Sequence, residues 1–196
     1  PGSKWSSVSK NIYYSPSIDR SDYRNKWTYY HDAPGTMQLM HMGAYFDPGM
    51  ECDLPADLSS LTKQQLEERF DAPFSGAGVR IIKSHIFANN IDYLKGLWPE
   101  VPIVLVYRSD DACLGWWVKC GHFNITYPKY DQYYVDLREM ANKIREQNAG
   151  IVKAWTDYEG TDVYSNHRLA LNLGLAAPPK EYIQNYQEND IQIKVI

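Results

Sequence analysis

Cysteine is scarce in this sequence, and its spacing does not suggest a structural metal site. The 196 residues include three cysteines, Cys52, Cys113 and Cys120, an odd number without the close pairs that zinc sites use. Cys113 and Cys120 fall two helical turns apart, on one face of a predicted helix. We therefore expect reduced, structural thiols and a cytoplasmic location.

Long apolar runs are missing as well. No stretch reaches the roughly 18 to 20 apolar residues that cross a bilayer, and no signal-peptide pattern opens the chain. We therefore expect no transmembrane segment. The sequence begins at Pro1 rather than at a methionine, which leaves open a lost upstream segment, a leader included.

The chain has no excess of positive charge. Its formal net charge is −4, so it has no basic field for wrapping DNA or RNA, and nucleic acid is not expected as a partner. The histidines lack a nearby Cys, Asp or Glu at ligand spacing, and we expect no bound metal. They are His31, His41, His85, His122 and His167.

What is present is typical of one globular domain, 1–196, because 44% of residues are hydrophobic and 22% are charged. Short β-branched runs between helical patterns predict a three-layer α/β/α fold around a central, mostly parallel sheet. The predicted strands are Val79–Lys83, Pro102–Tyr107 and, after a helix stop at Asn148–Gly150, Ile151–Trp155. The predicted helices are Ser6–Tyr14, Leu61–Phe70, Asn90–Leu97, Asp111–His122, Lys129–Gln147 and Tyr164–Leu173.

Two further segments complete the predicted architecture. Residues 16–55 are rich in Tyr, Met, Asp, Pro and Gly and are long for a connection, which predicts a pocket or lid. Ile191–Ile196 alternates with period two and predicts a final strand of unknown partner. A loop that opens a helix normally follows a strand. Either a first strand before Pro1 is absent, or the last strand takes its place.

Small and hydroxyl residues open the first predicted helix, in the order Pro1, Gly2, Ser3, Lys4, Trp5, Ser6, Ser7. Backbone N–H groups and hydroxyls at such a position can wrap a phosphate. A serine-rich N-terminal cap explains the same residues equally well.

Polar groups also follow two predicted strands. Lys83 and His85 come directly after the apolar run Val79–Ile82 of the first, at the edge of the sheet where ligands of open α/β folds bind. Arg108 ends the next strand, and its guanidinium can donate two parallel hydrogen bonds to a phosphate. A structural histidine, and an arginine paired with Asp110 or Asp111, are the alternatives.

In this order, the segments resemble those of the P-loop sulfotransferase family. Ile81–His85 resembles the family's Lys-Thr/Ser-His segment, and Val104–Arg108 its arginine-bearing strand. Pro1–Ser7 is similar to its 5′-phosphosulfate loop. Further on, Asp157–Gly160 and Leu169–Leu175 resemble its Tyr-Glu-Asp stretch and its Phe-Leu-Gly-Leu helix end.

The resemblance, which spans residues 1–175, implies a P-loop NTPase-like sulfotransferase fold and sulfuryl transfer from 3′-phosphoadenosine 5′-phosphosulfate. The acceptor would be a hydroxyl or amine of a small molecule, sugar or lipid, the product would be adenosine 3′,5′-bisphosphate, and no metal is needed. It implies His85 as the base, and Lys83 and Lys4 as catalytic cations at the departing oxygen. The implied donor-binding residues are Gly2, Ser3, Lys4, Trp5, Ser6 and Ser7 at the phosphosulfate, Arg108 and Ser109 at the 3′-phosphate, and Tyr158 at the adenine.

The sequence departs from the family pattern at several positions. Gly2 stands where the loop normally has Lys or Arg, and Lys4 where it prefers Gly. Gly115 and Trp116 occupy the place of a serine expected after the arginine, and an Arg-Lys-Gly loop near the C-terminus is absent. Two alternatives stay open. One is an impaired sulfotransferase-like module that binds nucleotide or a partner; the other is a small-molecule kinase, although its Gly-Lys-Ser/Thr triplet is missing.

Other polar and aromatic residues have two interpretations each. Asp47 and Glu51 could contact an acceptor, but solvated turn carboxylates are the commoner case. Trp116 and Trp117 are expected in the core, with base stacking as second choice. The tyrosines of residues 127–134 predict a surface that faces solvent, the acceptor pocket or a second copy of the chain.

Overall fold

The computed structural model describes residues 2–23, 29–33, 36–50, 52–119, 135–183 and 190–196. Within these residues the chain is mixed α/β, with six α-helices, a three-stranded sheet and a two-stranded sheet. The helices are α1 (Trp5–Tyr13), α2 (Lys63–Asp71), α3 (Ile91–Leu97), α4 (Asp110–Lys119), α5 (Leu137–Asp157) and α6 (Leu169–Asn172). The strands are β1 (Tyr29–Ala33), β2 (Thr36–His41), β3 (Val104–Tyr107), β4 (Thr161–Asp162) and β5 (Gln192–Val195).

Local side-chain chemistry explains where two of the helices begin. Thr62 and Gln65 form a reciprocal capping box at the start of α2. The Asp136 carboxylate accepts the N–H of Glu139 at 2.8 Å at the start of α5. None of the helices in the described ranges is long and apolar enough to cross a membrane.

The predicted helices are confirmed in outline. α1 to α4 match the first four, and a 3₁₀ turn at Asn166–Arg168 followed by α6 matches the last. Residues 120–134, which hold the end of the fourth predicted helix, the start of the fifth, Cys120 and the tyrosine-rich segment, lie outside the described residues.

The three-stranded sheet has the order β3-β5-β4, and both pairings are antiparallel. β5 lies in the centre, with Val195 opposite both Val104 and Thr161. The strands predicted at 102–107 and 191–196 are confirmed, but a mostly parallel sheet is wrong for the described part of the chain. The physical reason is that the C-terminal strand β5 pairs with β3 in the antiparallel direction, at the edge of β3 where a parallel sheet would have a parallel strand.

The strand predicted at Ile151–Trp155 is wrong, because these residues belong to the 21-residue helix α5. Gly150 does not take the left-handed backbone of a helix-ending glycine. Its missing side chain instead allows a close approach, since a Cβ there would overlap the carbonyl oxygen of Ala88. Ile151, Ala154 and Trp155 share one helical face that packs on β3. The prediction failed because a short apolar run is compatible with both the helical period of 3.6 residues and the strand period of two.

The strand predicted at Val79–Lys83 is present only as an extended connection. Val79 exchanges backbone hydrogen bonds with Ser17 and Asp19 in an isolated parallel bridge to Ile18, and the Lys83 carbonyl accepts the N–H of Phe46 at 2.9 Å. No ladder joins these two points within the described residues, and Val79 is 48% exposed. The segment therefore crosses the surface before it delivers Lys83 to the interior.

Two hydrophobic clusters hold the start of α1. One joins α1 to β5 and α6 through Val8, Ile193 and Leu169. The other joins the segment 42–50 to α4 and α5; it comprises Tyr45, Met50, Cys113, Trp117, Met140 and Ile144. The ring of Trp5, the first residue of α1, packs against both clusters.

The close contact at Gly150 makes a stability prediction. Gly150→Ala should lower the free energy of unfolding by roughly 1–3 kcal/mol, because the methyl group must displace the Ala88 backbone. Gly115→Ala in α4 is the matched control: a Cβ there meets nothing within 4 Å, and alanine favours the helix by up to about 1 kcal/mol. Urea denaturation measures both, and an unchanged or raised stability of Gly150→Ala would contradict the close packing.

Candidate functional site

The opening loop lies against the start of α4. Gly2 has a φ of 77°, in the region that favours glycine, and a Cβ at this position would overlap the backbone of Cys113. The Arg108 guanidinium at the end of β3 donates from Nη1 to the Gly2 carbonyl oxygen at 3.4 Å. A side chain at position 2 would not fit, so the structure requires glycine there.

Lys4 has the backbone conformation that glycine adopts most readily. Its φ and ψ are 61° and 22°, which costs a residue with a side chain about 1 kcal/mol or more. Its Nζ lies 4.2 Å from the centroid of the Trp116 ring, a cation–π contact that holds the ammonium beside the loop. The contact offsets part of the conformational cost at Lys4.

The first turn of α1 presents the positive end of a helix dipole. The Lys4 carbonyl accepts the N–H groups of Ser7 and Val8 at 2.9 and 3.2 Å. The helix has no side-chain cap and no acidic residue in its first turn. Ser3 is buried, and Ser6 and Ser7 are half-buried. Such a helix start favours an anion.

A buried cluster of Tyr45, Asp47 and His85 lies behind this loop. The His85 Nδ1 is 3.0 Å from Asp47 Oδ2 and 2.7 Å from Tyr45 Oη, and Tyr45 Oη donates to Asp47 Oδ2 at 2.6 Å. The other carboxylate oxygen accepts from Ser84 Oγ at 2.9 Å and from the Ile86 N–H at 3.4 Å. The Asp47 side chain is 0% exposed and that of His85 is 5% exposed.

The charges of this cluster follow from its contacts. Burial acts to raise the pKa of Asp47, but contact with His85 and the hydrogen bonds from His85, Tyr45 and Ser84 outweigh it, and the pKa lies below its usual value. Burial lowers the pKa of His85 to about 4, although Asp47 opposes the shift. At neutral pH the pair is therefore a carboxylate beside a neutral imidazole.

Aromatic rings enclose the His85 imidazole. Its centroid lies 5.3 Å from that of Trp5, 5.6 Å from that of Tyr45 and 6.5 Å from that of Trp117, all in edge contacts. The rings come from α1, from the segment 42–50 and from α4. The structure thus brings His85 to the start of α1, where the opening loop ends.

The Arg108 guanidinium has an incomplete set of partners. Its Nε is buried and makes no hydrogen bond in the described structure. It forms no ion pair with Asp110 or Asp111, and Asp110 accepts instead from the Asn148 side chain at 2.5 Å. The pairing considered as the alternative from sequence is therefore absent, and the guanidinium beside Gly2 keeps capacity for an anion.

Lys83 lies at a different place from His85. Its ammonium donates to the Met42 carbonyl oxygen and is 5.6 Å from the centroid of the Tyr13 ring. Tyr13 is eight residues beyond Trp5 on α1, which is about 12 Å along the helix axis. Burial lowers the pKa of Lys83 to about 8, against the attraction of Asp22. The described contacts of Lys83 do not bring its ammonium to the opening loop.

The two other predicted donor contacts have structural partners. Ser109 precedes α4, and its Oγ accepts the Ala112 N–H at 3.4 Å. Tyr158 follows α5 and donates from its hydroxyl to Asp92 at 2.8 Å. It lines an open surface depression of about 670 Å³ together with Asp157 and Glu159. None of the described contacts of Tyr158 reaches the loop.

Sequence reasoning missed Tyr45 and misjudged Asp47. Asp47 is fully buried rather than a solvated turn carboxylate, and Glu51 lies outside the described residues. The available signal was the apolar run Met42–Phe46 directly before Asp47, because such a run indicates a buried segment. Trp117, rather than Trp116, is the core residue: it shares a face with Cys113, and Trp116 packs under Lys4.

Neither a metal site nor a related protein identifies the function. Among the described residues, no group of His, Cys, Asp and Glu is arranged to hold a metal ion, and Cys113 forms no disulfide. Comparison of the chain with protein-family models, curated proteins and solved structures gives no match in any of the three. Any functional conclusion depends on the site itself.

The lowered pKa of His85 makes a prediction about pH. Because the pKa in the folded state lies below the unfolded value of about 6.5, protonation opposes folding, and the free energy of unfolding should fall as the pH drops from about 6.5 to about 4. NMR titration of the imidazole and urea denaturation at several pH values measure the two effects. His85→Asn should show a shallower loss of stability in this window. An imidazole already protonated at pH 6 would contradict the buried neutral state.

Proposed function

We propose that this chain is a sulfotransferase that uses 3′-phosphoadenosine 5′-phosphosulfate, with the opening loop and α1 as the phosphosulfate site and His85 as the base. The observation that carries the proposal is the convergence of three groups at one point. The opening loop, which requires glycine at position 2, leads into helix α1, and this helix has no side-chain cap. The Arg108 guanidinium donates to the Gly2 carbonyl oxygen, and the His85 ring packs against the Trp5 ring. The proposal includes a P-loop type of loop-and-helix unit for residues 2–13.

The chemistry required of these groups is proton removal and anion binding. Nucleophilic attack by a hydroxyl or amine on sulfur is easier when a base takes its proton, and a neutral imidazole can do so at neutral pH. Charge develops on the leaving phosphate oxygen, so the helix dipole, the loop amides and Lys4 stabilise the transition state more than the bound donor. Arg108 and Ser109 are proposed to hold the 3′-phosphate.

A second candidate is a module that binds the nucleotide without turnover. The placement of Lys83 favours it, because the ammonium assigned to the departing oxygen is bound to the Met42 carbonyl at the far end of α1. The two candidates share the donor site and differ in the chemical step. The first candidate also includes two further proposals. Tyr158 would contact the adenine, and the acceptor would be a small molecule, sugar or lipid.

Donor binding is the first test. Adenosine 3′,5′-bisphosphate should raise the melting temperature of the full chain, and ATP with Mg²⁺ should not, because a ligand that binds only the folded state stabilises it. Arg108→Ala should weaken bisphosphate binding by roughly 10-fold or more, the loss of one charge-assisted contact. Arg138→Ala, an exposed residue in the first turn of α5, is the matched control. No shift at saturating bisphosphate would rule out both candidates.

Turnover is the second test, and it separates the candidates. His85→Asn keeps an N–H donor near the position of Nδ1 beside Asp47 but removes the base. Sulfuryl transfer to a panel of hydroxyl and amine acceptors should fall by about 10²- to 10⁴-fold, while bisphosphate affinity stays unchanged. Transfer is measured with a radiolabelled donor. Normal turnover in His85→Asn would refute the base assignment, and bisphosphate binding without any transfer in the unmodified chain would favour the binding module.

A further inference from the structure

We propose that Asp47 is a positioning residue for His85: its carboxylate fixes the imidazole in the tautomer with the proton on Nδ1 and stabilises the imidazolium formed when the base accepts a proton. The catalytic consequence rests on the proposed function. The tautomer itself can be measured without donor or acceptor.

The contact between Nδ1 and the carboxylate indicates where the ring proton lies. Asp47 Oδ2 lies 3.0 Å from His85 Nδ1, and an ionised carboxylate can only accept hydrogen bonds. If Nδ1 carried a lone pair, two acceptors would face each other in a site that excludes water. A proton on Nδ1 turns this contact into a charge-assisted hydrogen bond.

The hydrogen bonds of the Tyr45 hydroxyl also indicate a proton on His85 Nδ1. Its single hydroxyl proton lies between two neighbours, Asp47 Oδ2 at 2.6 Å and His85 Nδ1 at 2.7 Å. If the hydroxyl donated to Nδ1, its oxygen would face the carboxylate without a proton between them. If it donates to Asp47, its lone pairs face Nδ1, and only an N–H on that atom satisfies all three contacts.

The neutral ring then carries its lone pair on Nε2, the ring nitrogen away from Asp47. In transfer to a hydroxyl, the acceptor O–H bond breaks and its proton goes to Nε2. The acceptor oxygen bonds to sulfur, and the bond from sulfur to the bridging oxygen breaks with its electron pair left on adenosine 3′,5′-bisphosphate. Asp47 takes no proton; it stabilises the imidazolium across a short, buried contact where screening is weak.

The two carboxylate oxygens have different partners, which provides matched variants. Oδ1 accepts from Ser84 Oγ and from the Ile86 N–H, a group that can only donate. In Asp47→Asn the amide oxygen is therefore held at Ile86 and the NH₂ group faces His85, which moves the ring proton from Nδ1 to Nε2. Ser84→Ala removes one hydrogen bond from Asp47 and leaves the contact with Nδ1 in place.

The test is ¹⁵N NMR of the full chain with labelled histidine at pH 7, with circular dichroism as the check of folding. The unmodified chain and Ser84→Ala should both show His85 protonated on Nδ1, and Asp47→Asn should show it protonated on Nε2. A proton on Nε2 in the unmodified chain overturns the proposal, and this measurement needs no variant. An unchanged tautomer in a folded Asp47→Asn overturns it as well.

Kinetics separate this inference from the proposed function. Asp47→Asn should lower kcat for sulfuryl transfer by about 10²-fold or more, with unchanged bisphosphate affinity, whereas a merely structural residue would not produce this division. If no acceptor is sulfated but the tautomer changes as described, the proposed function fails and the positioning role stands. If transfer occurs and Asp47→Asn retains both kcat and tautomer, the positioning role alone fails.

Discussion

One buried carboxylate holds the candidate site together. Asp47 is inaccessible to solvent, accepts hydrogen bonds from Tyr45, Ser84 and the Ile86 backbone, and lies 3.0 Å from His85 Nδ1. Its contacts join two segments that are distant in sequence, around residues 45 and 85. A buried charge of this kind is tolerated only where its hydrogen bonds are nearly complete.

The packing around the carboxylate connects it to the opening loop. Trp5 and Trp117 lie against the His85 ring, and Trp5 is also the first residue of α1. The start of the helix, the conformation of the loop and the position of the imidazole are thus parts of one packed unit. Rigid supports of this type keep catalytic or binding groups in place, because protein interiors resist small displacements.

Two departures from the sulfotransferase pattern have local explanations. Gly2 lacks a side chain because the Cys113 backbone occupies the space, and Lys4 adopts a left-handed backbone with its ammonium on Trp116. The position of Lys83 does not fit the role that the resemblance implies for it, as a cation at the departing oxygen. Its ammonium lies in the interior, bound to the Met42 carbonyl near the Tyr13 ring, so Lys83 is not among the groups that the proposed mechanism uses.

The sequence by itself determined the helices α1 to α4 and the strands β3 and β5, because caps and periodicity are local properties. It also pointed to His85, Arg108 and the loop as candidates. Only the tertiary structure decided the rest. Contacts between residues distant in sequence decide the central place of β5, the helical state of residues 151–155 and the burial of Asp47. A short apolar run or a single carboxylate does not indicate which distant residues it will contact. The same limit separated Lys83 from His85: two residues apart in sequence, they are directed to opposite ends of α1 by contacts with Met42 and with Tyr45 and Asp47.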